Sequence, residues 1–256
     1  MHSGPRLTAL SVTAAAALLL GTAGCTDLDQ ASAAGINHDD LLSEMSIQLA
    51  RVTGLTYTAT YQLTGGDTAT VTQAQKPSRT AYVYPGGRLI QTATGTVRCI
   101  GDKTSSTSSS SAGSGGAGSG SGGAGKAAAD TGKAPACTET DPTPATTAPL
   151  AGSALITPEA ALAMLNSAAL DQEVDATQHD TTIAGRHAIC LDLDNVDGTP
   201  ARRFSLCVTN EGALGSFAAT IAGTHYEQAL TTYTEKAAPD AFDLPPAAKL
   251  TDKRTK

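Results

Sequence analysis

The sequence predicts an α+β fold, a curved antiparallel β-sheet with helices packed on its concave face. Three observations support this class. Apolar and polar residues alternate with period two in many short segments, which is typical of half-buried antiparallel strands. Turn residues separate those segments, as in a meander. Two other stretches repeat their apolar residues every three or four positions, as amphipathic helices do.

The first helix is predicted directly after His38-Asp39-Asp40. Asp39 or Asp40 can cap its first turn and complement the helix dipole, and Gly54 ends it. The apolar positions that define its buried side are Leu41, Leu42, Met45, Leu49 and Val52.

A five-stranded meander is predicted after this helix. In the segment from Leu55 to Leu63, apolar residues alternate with Thr and Gln, and Gly65-Gly66-Asp67 supplies the turn that follows. The four other strands of this meander are predicted at 68–75, 79–84, 88–92 and 96–100.

A second helix and a second meander are predicted after residue 150. Thr157 at the cap and Pro158 at the first helical position begin the helix, which continues to about Asp171. Asp197-Gly198 is a strong turn signal within the meander. The strands are predicted at 174–183, 186–194, 201–209, 214–221 and 225–234, before a single turn docked by Phe242 and Leu244.

Low complexity separates the two halves. Ser, Gly, Ala, Pro and Thr dominate residues 101–150, which cannot bury enough apolar area to offset their chain entropy. Cys99 and Cys137 flank the most Gly-rich part, which favours an insertion over a linker between two domains. Residues 38–100 and 151–247 therefore form one predicted domain, followed by a basic tail at 248–256.

The N-terminus carries a targeting signal. Met1 to Arg6 is basic, a short apolar run follows, and Thr22-Ala23-Gly24 leads into Cys25. This arrangement resembles a bacterial lipoprotein signal, which implies cleavage after residue 24, acylation of Cys25 and a polar tether at 25–37. The expected location is the extracytoplasmic face of the cell membrane, with Cys25 in the lipid. An ordinary secretory signal or an uncleaved anchor is the alternative.

Acylation of Cys25 would leave four cysteines, an even number that suggests two disulfides in an oxidising compartment. Cys190 and Cys207 lie on the two arms of the hairpin that turns at Asp197-Gly198. A two-residue turn sets Cys190 opposite Ser205, and a slightly longer loop sets the two cysteines opposite each other. Cys99 then pairs with Cys137 by elimination. Buried free thiols are the alternative for Cys190 and Cys207.

Composition and motifs argue against catalysis and nucleic-acid binding. The formal net charge is −7 and the basic residues are scattered, so no basic stripe faces phosphates. Neither G-x-S-x-G nor HExxH occurs. Asp192, Asp194 and Asp197-Gly198 look like a calcium-loop fragment, but Val196 and Phe204 occupy positions where ligands are needed. We expect no enzyme activity, no metal and no cofactor.

The apolar faces of the predicted strands consist of small residues with few aromatics, which can leave a cavity for an apolar ligand. Complete packing without a cavity is the alternative. The candidate cavity residues are Met45, Leu49, Leu55, Tyr57, Tyr61, Leu63, Leu162 and Leu165.

Three segments carry a family resemblance: residues 55–61 (LTYTATY), residues 183–190 (IAGRHAIC) and the closing stretch from Tyr233 to Pro245. With these segments and its order of helices and strands, the chain resembles the LolA-like superfamily, most closely actinobacterial lipoproteins of the LppX/LprG type. The resemblance implies a half-open β-barrel with a helical lid, an apolar cavity for lipid acyl chains and no catalytic residues. The expected protein is a membrane-anchored monomer that binds a lipid or other apolar ligand. The alternative is an envelope protein-binding or sensor module with the same fold and no small ligand.

Overall fold

A twelve-stranded sheet organises the computed structural model, which describes residues 38–101, 134–143 and 153–255. The predicted signal at 1–24, the tether at 25–37 with Cys25, and most of the predicted insertion at 101–150 lie outside the described residues.

The first half of the described chain is a helix followed by a meander. Helix α1 spans His38–Ala50 and continues into a short 3-10 turn at Arg51–Gly54. The strands of the meander are β1 (Tyr57–Leu63), β2 (Thr68–Gln75), β3 (Ser78–Tyr84), β4 (Gly87–Thr92), β5 (Thr96–Ile100) and β6 (Ala136–Thr140).

The second half repeats this order. Helix α2 spans Pro158–Ala168, and the side chain of Thr157 caps it by accepting a hydrogen bond from the amide of Ala160. The remaining strands are β7 (Asp175–Ile183), β8 (Arg186–Asp194), β9 (Phe204–Thr209), β10 (Leu214–Ile221), β11 (Thr224–Thr234) and β12 (Lys249–Asp252).

Strand β1 joins the two meanders because it pairs with β11. The resulting order is β12-β6-β5-β4-β3-β2-β1-β11-β10-β9-β8-β7, with one parallel pair, β12 and β6. Strands β12 and β7 form the two ends, so the sheet is not closed within the described residues. The predicted α+β class and the mostly antiparallel sheet with two short helices are confirmed.

Two strands lie where none was predicted. Strand β6 falls inside the predicted insertion, and β12 falls inside the predicted basic tail. Neither segment alternates apolar and polar residues, so their pairing with neighbours, rather than their own pattern, makes them strands. Strand β9 also begins at Phe204, later than the predicted residue 201.

The last residues of the chain cross the face of the sheet opposite the helices. We call residues 235–252 the C-terminal strap. Its backbone accepts hydrogen bonds from Thr58 Oγ1 at Lys236 and from Arg88 at Asp243. The guanidinium of Arg79 lies 4.0 Å above the ring of Phe242, a cation–π contact. Phe242 therefore docks the strap, whereas Leu244 remains 39% exposed.

Two hairpins place an alanine where the backbone is left-handed. Ala184 (φ 51°) precedes Gly185 between β7 and β8, and Ala222 (φ 49°) precedes Gly223 between β10 and β11. Two successive positive φ angles define a type I′ turn, in which Asn-Gly is strongly preferred.

We expect Ala184→Asn and Ala222→Asn each to raise the free energy of unfolding by about 0.5–1 kcal/mol, because Asn tolerates this conformation better than Ala. Urea unfolding measures the change. Ala229→Asn, at an exposed position within β11, is the matched control and should not stabilise the fold. An equal gain in that control would contradict the turn argument.

Candidate functional site

The eight predicted cavity residues separate into two packed clusters on the same face of the sheet. Met45, Leu49 and Leu165 are buried in one, which we call the helix cluster, with Leu162 packed at its margin. The other four candidate residues, from β1 and the segment before it, belong to a second cluster, which we call the tyrosine cluster. Of these, Tyr57, Tyr61 and Leu63 are buried and Leu55 is partly buried.

The helix cluster fills the space between the two helices and strands β8 to β10. Strand residues Leu191, Leu206 and Phe217 face the helices and are nearly inaccessible to solvent. Two methionines, Met45 and Met164, contribute from the helix side. Methionine is unbranched and flexible, so this wall can adapt its shape more readily than one built of branched side chains.

The tyrosine cluster is apolar in its rings but polar at its hydroxyl groups. Tyr61 donates to the backbone oxygen of Leu214 at 2.9 Å, and Tyr82 donates to Glu159 Oε2 at 3.1 Å. Burial, reinforced by neighbouring groups that include Glu159, raises the pKa of Tyr57, Tyr61 and Tyr82 above the ordinary tyrosine range. The hydroxyls of Tyr61 and Tyr82 therefore stay protonated and act as hydrogen-bond donors.

A buried glutamine ties the start of α2 to the sheet. The side chain of Gln228 on β11 accepts a hydrogen bond from the amide of Ile156 at 2.8 Å and donates one to the carbonyl of the same residue at 3.0 Å. Gln228 is 1% exposed. This two-point contact imitates a strand pairing and fixes the backbone just before the Thr157 cap.

A stacked column closes one end of the tyrosine cluster. The rings of Tyr57 and Tyr233 stack with centroids 5.6 Å apart, and the guanidinium of Arg186 lies 4.3 Å above Tyr233. Arg186 also forms an ion pair with Glu211. Burial would raise the pKa of Glu211, but hydrogen bonds from Thr209, its own backbone and Arg186 lower it.

An open pocket of about 1020 Å³ lies at one end of strands β8, β9 and β10, away from all eight candidate residues. Its charged groups are largely paired: Arg203 contacts Asp194, and Asp192 lies 3.4 Å from His179. The polar residues that line it include Asp192, Asp194, Asn195, Arg202, Arg203 and His225. Apolar residues also line it, and they are Leu193, Pro200, Ala201, Phe204, Ala218 and Ala219.

Among the described residues, no group of three or more His, Cys, Asp or Glu side chains could hold a metal ion. Each of the three histidines with a described side chain has one polar neighbour: Asp192 for His179, Asn210 for His187 and Glu227 for His225. No helix in the described part of the chain is long and apolar enough to span a membrane.

Both predicted disulfides are present. Cys190 and Cys207 are direct cross-strand partners, as are Cys99 and Cys137. The two bridges lie on the face of the sheet opposite the helices, because Cys190 alternates with Leu191 of the helix cluster and Cys99 faces Arg88 rather than Leu89.

Sequence reasoning did not find three of these features: the Gln228 contact, the Arg186 column and the open pocket. Gln228 alternates with apolar residues on β11, so its place on the buried face was readable, but its partner was not. Arg186 and Glu211 both lie at turns, and their proximity depends on how two hairpin ends meet.

These features define an α+β protein whose large, open, mostly antiparallel sheet is covered on one face by two helices. No family model and no curated protein matches the chain. Among solved structures it is similar to MucB (12% identity, TM-score 0.42, covering 80% of this chain and 63% of MucB). An uncharacterized conserved protein from Thermus thermophilus matches at 9% identity and TM-score 0.42, over 82% of this chain and 99% of that protein.

PNGF-II is also similar, at 10% identity and TM-score 0.34, over 78% of this chain and 32% of that protein. The chain thus spans less than two thirds of the length of MucB and of PNGF-II. At these TM-scores the similarities assign neither a family nor a function.

Proposed function

We propose that the chain is a membrane-anchored, extracytoplasmic binding protein without enzyme activity, which takes up a lipid or other apolar ligand between its helices and its sheet. The observation that carries the proposal is the helix cluster, an apolar layer that runs under α1 and α2 with flexible methionines in its helix-side wall. The LolA-like half-open barrel, its monomeric state and the acylated Cys25 anchor belong to the same proposal.

Ligand uptake in this proposal requires the helices to move, because side chains fill the layer beneath them. Met45 and Leu49 are 3% and 0% exposed. Near the N-terminus of α2, Tyr82 donates to Glu159 and Gln228 bonds the backbone of Ile156, and beyond its C-terminus Asp171 accepts a hydrogen bond from the amide of Asp197 at 2.8 Å. At the other end Leu170, just beyond the helix, is 87% exposed. We propose that α2 lifts from its C-terminal end, which requires the Asp197–Asp171 hydrogen bond to break, while Gln228 keeps its start in place.

Native mass spectrometry of the protein, purified from its host without detergent, tests the proposal. We expect a co-purified mass of lipid size on the wild-type chain. Met45→Trp should lower its occupancy roughly tenfold, because overpacking costs about 1–3 kcal/mol and about 1.4 kcal/mol corresponds to tenfold.

Ile47→Trp is the matched control, since Ile47 lies on the same helix but is 53% exposed. Circular dichroism shows whether each variant folds. Absence of any bound lipid on the folded wild-type protein would refute the proposal, and equal loss in both tryptophan variants would refute the location of the ligand.

A protein-binding module of the envelope is the second candidate. It is favoured by the packing of the predicted cavity residues into two clusters, which leaves the sheet itself as the available binding element. Crosslinking in intact cells tests this candidate: one dominant protein partner is expected, and the absence of any crosslinked partner would count against it.

A further inference from the structure

Strand β7 is a free edge of the sheet. It spans Asp175–Ile183 and, among residues 38–101, 134–143 and 153–255, pairs only with β8, in an uninterrupted register of nine residue pairs. The end of the strand approaches β10, where Ile183 Cδ1 lies 3.1 Å from the position that a Cβ on Gly215 would take. The open part of the edge is therefore residues 175–181, most of which are exposed.

The hairpin turn determines which backbone groups point away from β8. In a two-residue type I′ hairpin the residues that flank the turn, here Ile183 and Arg186, form a hydrogen-bonded pair. Bonded and non-bonded pairs then alternate along an antiparallel ladder. The N–H and C=O groups of Ala176, Gln178 and Asp180 consequently face away from β8, toward the free edge.

The disulfide on β8 supports this assignment. If His179 and Cys190 form a hydrogen-bonded pair, Cys190 and Cys207 must form a non-bonded pair on the other side of β8, where Cα atoms lie closer together. Their Cα atoms are 3.9 Å apart, which fits the non-bonded geometry.

The two ends of the sheet differ in how they are protected. At one end, the four-residue strand β12 covers β6, begins with Lys249 and is held by Arg254, which forms an ion pair with Glu139 of β6 at 3.0 Å. Short strands and lysines are common protections against edge pairing. Strand β7 has no Lys, Arg or Pro and no register shift, so it lacks those protections.

The open edge is acidic. Asp175 and Asp180 are exposed on β7 itself, and Glu173 precedes the strand. Asp192 lies on β8, next to β7, and its carboxylate is 3.4 Å from the ring of His179. A second copy of the chain would bring the same carboxylates together, whereas a basic segment would complement them.

We infer that the β7 edge binds an extended, basic segment of a partner protein, which adds to the sheet as a thirteenth strand. Main-chain hydrogen bonds to Ala176, Gln178 and Asp180 provide affinity, and Lys or Arg side chains opposite Asp175 and Asp180 provide selectivity. This inference rests on the protein-binding candidate and names the site and the partner chemistry.

The test uses the full chain and three synthetic nine-residue peptides. The first combines Val and Thr with two Lys residues five positions apart, one opposite Asp175 on one face and one opposite Asp180 on the other. The second carries Glu in place of Lys, and the third carries Pro at alternate positions. Amide hydrogen exchange is measured by NMR with and without each peptide. We expect the basic peptide to protect the amides of residues 176, 178 and 180 at least tenfold, while the other two peptides leave them unchanged.

Three variants sharpen the result. Asp180→Lys should weaken the basic peptide about fivefold, since an exposed ion pair contributes modestly. Gln178→Pro removes an outward N–H without breaking a bond to β8, and should abolish protection of the edge. Asp240→Lys, at an exposed position on the strap, is the charge-matched control and should bind as the wild type does.

Equal protection by the acidic peptide would overturn the charge argument. Protection that rises with protein concentration without any peptide would show a second copy at the edge and would also overturn the inference. If the basic peptide fails while crosslinking in cells still captures one partner, the protein-binding candidate survives and the β7 inference fails.

Discussion

Replacing Gln228 with leucine is expected to lower the free energy of unfolding by about 3 kcal/mol. Leucine has a similar volume and suits the surroundings, so little packing is lost. The N–H and C=O of Ile156, however, would lose the partners that lie 2.8 and 3.0 Å away. Each buried backbone group left unpaired costs about 1–3 kcal/mol. The loss should fall on α2 first, because Ile156 directly precedes its cap.

Urea unfolding measures the total effect, and hydrogen exchange of the α2 amides shows where it falls. Gln62→Leu is the matched control, since Gln62 on β1 is exposed and its side chain bonds, within the part of the chain that the structure describes, only to the nearby Gly66 carbonyl. We expect that control to change stability by less than about 0.5 kcal/mol. If Gln228→Leu behaved like the control, the two-point contact would contribute nothing to holding α2.

The strands were predictable because a half-buried sheet imposes its period on the sequence. Tyr57, Ala59 and Tyr61 face the tyrosine cluster while Thr58 and Thr60 face the other side, as their alternation indicates. The cysteine register followed from the same geometry. The loop around Asp197-Gly198 is longer than two residues, so Cys190 meets Cys207 directly instead of Ser205.

Features that depend on contacts between distant segments were not predictable. The Thr-rich strand β6 has no apolar alternation, and it is a strand because β5 and β12 pair with it on both sides. The division of the candidate cavity residues into two clusters also depends on contacts between distant segments. Spacing indicated which face of an element Leu165 or Tyr61 occupies, but not which buried neighbours that face would meet.

The Cys99–Cys137 bridge fastens an edge that little else secures. Strand β6 contains five residues, lies between two segments outside the described chain, and pairs with β5 and the four-residue β12. By contrast Cys190–Cys207 joins β8 and β9, which lie within the sheet and are flanked by β7 and β10. The two bridges therefore differ in what would remain ordered without them.

We expect Cys99→Ala/Cys137→Ala to lower the free energy of unfolding by about 4 kcal/mol, because the bridge closes a loop with a sequence separation of 38 residues. Cys190→Ala/Cys207→Ala, with a separation of 17, should cost about 3 kcal/mol.

Hydrogen exchange distinguishes the two double variants. The first variant should lose amide protection in β6 and β12 under native conditions, since β12 depends on β6, while β8 and β9 remain protected. The Cys190→Ala/Cys207→Ala variant should unfold at a lower denaturant concentration than the wild type, while the same strands remain protected from exchange under native conditions. Retained protection of β12 in the first variant would show that the strap, through Phe242 and Arg79, holds this edge without the disulfide.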